Sequence, residues 1–159
     1  MPFLPRLVSL SFVMTAVALL VLPPAPGLAG EDARDVARRI YRLVVKACPV
    51  DGDGLPYNLA DIARDHFSPE LQDQLSRAYQ DHRLDFDVLI DARDCAIDDV
   101  DIDTDDDHDD RGRAIASAKF KNFGERRKVE LVMVSMYGGW KVADIRYQHR
   151  NWSLTRDLR

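Results

Sequence analysis

The chain has 159 residues, of which 46% are hydrophobic and 31% charged, and its net charge is −5. This length is enough to bury a hydrophobic core. The excess of acidic residues argues against nonspecific binding to nucleic acid or to an anionic membrane, because both require clustered Lys and Arg.

Residues 1–29 predict a secretory signal peptide. One positive charge, Arg6, precedes an apolar run over 7–22, and a proline-rich stretch with small residues then ends at Ala29. The run is about as short as the shortest membrane spans, so we expect cleavage after Ala29, with an uncleaved N-terminal anchor as the alternative. Residues 31–159 then form a single α+β domain with 21 basic and 27 acidic residues, a net charge of −6, in the periplasm or outside the cell.

The only two cysteines of the chain, Cys48 and Cys95, both lie in the predicted domain. Export to an oxidising compartment favours an intramolecular disulfide bond between them. The alternative is a pair of separately buried thiols. A catalytic cysteine is disfavoured, because neither neighbourhood resembles that of an activated thiolate and the chain has no CxxC motif.

Three helices are predicted before any strand. Apolar residues at three- and four-residue steps indicate an amphipathic helix over 31–47, which Pro49 ends. A second helix over 57–67 follows a loop and is capped by Asn58. Ser68 caps a third helix, which has proline at its first position and is expected to reach about residue 84.

The second half of the chain predicts strands. Ile97, Val100 and Ile102 indicate a first strand, and three further strands are indicated by "RAIASAKFKNF", "RRKVELVMVSMY" and "WKVADIRY". Gly138 and Gly139 signal a two-residue turn, and the chain ends with a short helix in "NWSLTRDL". The fold class is therefore α+β, with N-terminal helices packed on a curved antiparallel sheet of about four strands.

An acidic run over 98–110 carries nine aspartates and one histidine. We expect it to be the solvated connection of a hairpin, although its first aspartates also fit the outward face of a strand. It is no EF-hand, because Asp106 stands where that loop requires glycine and Gly112 where it requires glutamate. Two alternatives stay open: an acidic docking surface for a basic partner, and weak calcium or magnesium binding by Asp101, Asp103, Asp105, Asp107 and Asp109.

Several short sequence segments are similar to those of a known family. "FSPEL", "DFDVLIDARDC", "FKNFG", "GGWKVADIRY" and "SLTRDL" occur in this order. Together they resemble an exported bacterial family, domain of unknown function 3828, in the fold group of nuclear transport factor two and scytalone dehydratase. The resemblance implies a cone-shaped fold with a curved sheet around a long helix and a cavity between them, and it implies no reaction. Val88 departs from related members, which have proline after "DFD".

Enzymes of that fold group place Asp, His or Tyr in the cavity, and this resemblance makes His66, Asp91, Asp94, Asp144 and Tyr147 candidates. The residues themselves favour simpler roles: turns for Asp91 and Asp94, and a hydrogen bond or an ion pair to an arginine for Asp144. Four aromatic residues near the C-terminus are expected to pack in the core, with an aromatic-lined ligand pocket as the alternative: Tyr137, Trp140, Tyr147 and Trp152. The predicted ligand-binding set is His66, Asp94, Trp140, Asp144 and Tyr147.

The leading functional hypothesis is an exported, non-enzymatic module that binds a small ligand or an envelope protein, without a cofactor. One alternative is an inhibitor or immunity-type partner of a cell-envelope hydrolase, whose basic cleft would receive the acidic run. A second alternative is a small cavity hydrolase or isomerase that uses Asp and His.

Overall fold

The computed structural model describes residues 32–51, 57–109 and 112–158, without the side chains of 106–109, so the predicted signal peptide lies outside the described residues. The α+β class is confirmed: helices precede an antiparallel sheet, which has five strands, and a short helix follows it. In chain order the elements are α1 (Ala33–Ala47), α2 (Leu59–His66), α3 (Pro69–Gln80), β1 (Ile97–Asp109), β2 (Arg113–Asn122), β3 (Glu125–Met136), β4 (Gly139–Tyr147), a 3₁₀ turn (Gln148–Arg150), β5 (Trp152–Ser153) and α4 (Leu154–Asp157).

The helix starts follow the predicted capping residues. Asn58 accepts a hydrogen bond from the Ala60 amide at 2.9 Å, and Ser68 accepts one from the Leu71 amide at 3.3 Å. The predicted end of α3 near residue 84 is wrong, because α3 stops at Gln80 and the chain turns through His82 with a φ of 55°. None of the helices in the described ranges is long and apolar enough to cross a membrane.

The acidic run is mostly strand, so its placement in a hairpin connection is wrong. β1 continues to Asp109, and only residues 110–112 separate it from β2. The register pairs Asp101 with Lys119, and Lys119 Nζ lies 3.9 Å from the carboxylate of Asp103. Cross-strand neighbours of opposite charge on β2 offset the low strand preference of aspartate. The outward orientation expected for the first aspartates is borne out at Asp101 and Asp103, which are exposed on either side of buried Ile102.

The sheet is a meander in the order β1-β2-β3-β4-β5. Phe123 and Gly124 form the two-residue connection between β2 and β3, and both have positive φ, as a type I′ turn requires. Between β3 and β4 the two-residue connection is Tyr137 and Gly138, one position earlier than the predicted glycine pair.

The core lies between α1 and one face of the sheet. Ile40 and Val44 of α1 are completely buried, and small residues of β2 let the helix approach the strands closely: Ala114, Ala116 and Ala118. The predicted disulfide bond between Cys48 and Cys95 is confirmed and joins the end of α1 to the segment before β1. Beside it, the Ile97 amide donates to the Cys48 carbonyl at 2.7 Å.

Candidate functional site

An open groove lies between α2, α3 and residues 85–93, and we call it the helical groove. Its volume is about 690 Å³, within the range of roughly 300–1,000 Å³ that small-molecule sites occupy. Most of its wall is apolar: Leu59, Ala60, Ala63, Leu75, Tyr79 and Phe86. Both helices turn their more polar faces to solvent, so the groove is an apolar surface within a charged exterior.

A half-buried carboxylate, Asp87, forms part of the groove wall. Its Oδ1 accepts a hydrogen bond from the Leu89 amide at 2.7 Å, and its Oδ2 accepts one from the hydroxyl of Tyr57. The backbone of Asp87 closes a tight loop, because its amide donates to the Ala92 carbonyl at 2.8 Å and its carbonyl accepts from the Asp91 amide at 2.9 Å. These four hydrogen bonds fix the position of Asp87 in the wall of the groove.

The electrostatics of the helical groove favour neutral tyrosines beside one carboxylate. Burial raises the pKa of Asp87, and hydrogen bonds from Tyr57 and the Leu89 amide act in the opposite direction. Burial and the neighbouring Asp87 raise the pKa of Tyr57 and of Tyr79 far above neutral pH. Both hydroxyls therefore stay protonated and act as donors.

The rim of the helical groove is charged. Three carboxylates and one guanidinium line the groove, a net lining charge of −2: Asp73, Asp85, Asp87 and Arg93. Arg93 forms an ion pair with Asp85 at the opening, where both side chains are largely exposed. Such an exposed pair contributes little to stability, so its separation would cost little.

Phe86 connects the helical groove to an aromatic cluster. Its ring centroid lies 5.9 Å from that of Trp152 and 6.1 Å from that of Tyr147, and the two latter rings stack at 5.5 Å. The guanidinium of Arg150 lies over the Phe86 ring at 5.4 Å. The expected aromatic cluster therefore exists around Tyr147 and Trp152, whereas Tyr137 is fully exposed at the β3–β4 connection.

The predicted ligand-binding residues do not line the helical groove. His66 ends α2, Trp140 is partly buried at the start of β4, and Asp94 is exposed in the segment before β1. Asp144 and Tyr147 border a smaller hollow of about 390 Å³ beside β5. The five residues therefore do not converge on a single pocket.

Asp144 and Tyr147 have structural contacts that account for them. The carboxylate of Asp144 accepts hydrogen bonds from the Ser153 hydroxyl at 2.7 Å and the Thr155 amide at 3.0 Å, which fixes the start of α4. Arg146 Nε also donates to it at 3.3 Å, so the predicted pairing with an arginine is confirmed. Tyr147 is completely buried and donates to the Val88 carbonyl at 2.6 Å.

Among the described side chains, no group of three or more His, Cys, Asp or Glu residues could hold a metal ion. Asp101, Asp103 and Asp105 occupy alternate positions of β1, where side chains on one face repeat about every 7 Å, too far apart to share one small cation. The side chains of Asp107 and Asp109 lie outside the described part, so the weak metal site stays a prediction.

Sequence reasoning missed Asp87, Tyr57 and Tyr79. A signal was present in "DFDVLI", where Asp87 stands between Phe86 and Val88 and is therefore a carboxylate amid apolar residues. Its partner Tyr57 follows a loop 30 residues earlier, a distance over which no periodicity connects two residues.

Comparisons with protein-family models, with curated proteins and with solved structures found no match to this chain.

Proposed function

We propose that this protein is an exported, non-enzymatic module that binds a small amphipathic ligand in the helical groove. The observation that carries the proposal is the combination of a mostly apolar wall with one fixed, half-buried carboxylate, Asp87. Ligand sites of soluble proteins have this character: apolar surface supplies affinity and a few placed polar groups supply orientation.

The charge of the helical groove favours an amine as the polar head of the ligand. The lining carries a net charge of −2, and Asp87 is its half-buried carboxylate, since Asp73 and Asp85 are exposed. A bound ammonium group would compensate the desolvation that raises the pKa of Asp87. The ligand class is therefore an apolar body, aliphatic or aromatic, that carries one primary amine.

Export is supported by the leader sequence and by the disulfide bond between Cys48 and Cys95, because such bonds persist in oxidising compartments. The family and the cone-shaped fold group proposed from the sequence are supported by the order of elements, three helices followed by an antiparallel meander with α1 against one face. That likeness concerns the fold and carries no reaction.

One observation favours binding over catalysis in the helical groove. The residues predicted as cavity candidates all lie outside the groove: His66, Asp91, Asp94, Asp144 and Tyr147. Its lining contains no histidine among the described residues, so Asp87 has no partner there for acid–base chemistry. The inhibitor alternative stays a prediction. The acidic surface that it requires would be formed by β1, which is an edge strand of the sheet.

Tryptophan fluorescence tests the proposal. Trp152 lies next to Phe86, and Trp140 is the only other tryptophan of the chain, so a Trp140→Phe background isolates the signal. We expect hexylamine to shift the Trp152 emission with saturation, hexanol to bind less tightly, and hexanoate to bind least. Equal, non-saturating responses to all three would contradict the proposal.

Matched variants assign the signal to the groove. Ala60 is exposed on the groove wall, so Ala60→Phe fills the space without disturbing the core and should abolish binding. Arg77→Phe adds the same ring to an exposed position of α3 outside the groove and should leave binding unchanged. Asp87→Asn should reduce the preference for hexylamine over hexanol while retaining hexanol binding, because the groove keeps its shape and loses its half-buried negative charge.

A further inference from the structure

A second groove is lined by residues of β1, β2, β3 and the 3₁₀ turn, and we call it the basic groove. Its volume is about 830 Å³. Five permanent cations and two carboxylates line it, which gives a net charge of +3 before any charge on His149: Lys119, Lys121, Arg126, Arg127 and Lys128 against Asp99 and Asp101. The whole chain carries −5, so this concentration of positive charge is local.

Several of these cations have carboxylate partners that anchor them. Lys121 Nζ lies 2.9 Å from Asp99, and Lys128 Nζ lies 2.9 Å from Glu130. Arg126 differs, because it is exposed and has no ion-pair partner in the described part of the chain. Arg126 is therefore a donor available to an anion.

One buried donor in the wall of the basic groove has no hydrogen-bond partner in the described part of the chain, the Nε of Arg127. The Nη2 of the same guanidinium donates to Glu125 at 2.8 Å, so the protein satisfies Arg127 only in part. Asp91, behind the groove, is paired at both oxygens, because Oδ1 lies 3.0 Å from Arg150 and Oδ2 lies 3.0 Å from His149. A buried donor without an acceptor is rare and costly, so Arg127 Nε indicates a place that a bound molecule or ordered water completes.

His149 connects the buried Asp91 to the basic groove. The Asp91 side chain is 1% exposed, on a turn where its φ is 53°, and its Oδ2 lies 3.0 Å from Nε2 of His149. The same Nε2 accepts a hydrogen bond from Arg150 Nε at 3.1 Å. One nitrogen cannot donate to Asp91 and accept from Arg150 at once, so the protonation of Nε2 decides which of the two contacts is a hydrogen bond.

We propose that the basic groove binds a small phosphorylated ligand, whose phosphate is held by Arg126, Arg127 and His149, with Asp91 as a positioning residue behind His149. A dianionic phosphate supplies the acceptor oxygens that the guanidinium groups lack. It also favours the protonated imidazole, which then engages Asp91 through Nε2.

The ligand carries an organic body as well as a phosphate. A groove of about 830 Å³ is far larger than a phosphate ion needs. Its remaining wall offers the amide of Gln148, which suits a hydroxylated group. The ligand class is a phosphate monoester. Its charge is opposite to that of the amine proposed for the helical groove, and it binds at a different site.

Calorimetric titration of the purified protein at low ionic strength tests this site, with glucose 6-phosphate, inorganic phosphate, sulfate and chloride as probes. We expect saturable binding of the phosphate monoester, weaker binding of inorganic phosphate, and no saturable response to chloride. If inorganic phosphate binds as tightly as the ester, the inference that the ligand carries an organic body is refuted. Equal responses to all four anions would overturn the proposal, because they would indicate only screening of a charged surface.

Variants of single cations locate the site. Arg126→Gln and His149→Gln should each weaken binding of the phosphate monoester at least about tenfold, because each removes a charge-assisted hydrogen bond. Arg77→Gln removes one positive charge from an exposed position of α3 and should leave the affinity unchanged. If all three variants weaken binding equally, the effect is one of net charge and the proposal fails.

Asp91→Asn tests the positioning role, since asparagine keeps the size of the side chain and removes its charge. We expect weaker phosphate binding together with a changed ¹⁵N spectrum of His149, in which Nε2 loses its protonated signal in the bound state. A folded Asp91→Asn protein with an unchanged imidazole spectrum would rule out the positioning role, and unchanged affinity in that protein would do the same.

Discussion

Removing the disulfide bond between Cys48 and Cys95 should cost a large part of the stability of the domain. The bond joins residues 47 positions apart. The entropy of closing a loop of this length in the unfolded chain corresponds to about 4 kcal/mol. Domains of this size have unfolding free energies of about 5–15 kcal/mol, so the loss leaves a marginal protein.

The experiment is urea denaturation of the oxidised wild type and of the Cys48→Ala, Cys95→Ala double variant. With an m value of about 2 kcal/mol per molar urea, the midpoint should fall by roughly 2 M. Reduced wild type serves as the control, because it keeps both sulfur atoms and lacks only the bond, whereas the variant also leaves a small cavity at buried Cys48. Identical midpoints for the oxidised and the reduced wild type would refute the reasoning.

Further predictions concern side-chain contacts. Asp144→Ala should lower the unfolding free energy by about 3 kcal/mol, because buried donors beside α4 lose their acceptor; urea titration checks this. Tyr147→Phe should cost about 1–2 kcal/mol, because the buried Val88 carbonyl loses its donor; a smaller thermal shift than for Asp144→Ala is expected. Burial raises the pKa of Asp87, so the wild type, compared with Asp87→Asn, should lose stability as the pH rises above about 4, where the carboxyl group of the unfolded chain ionises first, and a flat difference would contradict this.

Local signals in the sequence were enough to predict much of the fold. Capping side chains and periodic apolar residues determine α1, α2 and the start of α3, and these signals act over a few residues. The end of α3 was not predicted correctly, because His82 adopts a left-handed conformation that no local signal indicates. The turn at His82 brings Leu84 into the core, where its contacts are distant in sequence. The length of β1 was not predicted for a similar reason. Aspartates have a low strand preference, and the pairing with Lys119 on β2 that offsets it is not visible in the local sequence.

Neither groove could be predicted from residue patterns. The helical groove depends on Tyr57 and Asp87, and the basic groove on Asp91 and His149, so each joins residues 30 or more positions apart. The aspartate run is recognisable in the sequence because its composition is unusual. The lysines and arginines of the basic groove come from two strands, β2 and β3, so they form no comparable run in the sequence.

β1 lies at the free edge of the sheet, where unpaired backbone groups would normally invite another chain to add a strand. Its exposed Asp101, Asp103 and Asp105 make self-association costly, because antiparallel pairing of two such edges would place carboxylates opposite carboxylates. That part of the protection depends on charge, so acid or concentrated salt should weaken it and make the edge more prone to strand addition. Buffers near neutral pH and of modest ionic strength are therefore the conditions under which this protein is best stored and concentrated.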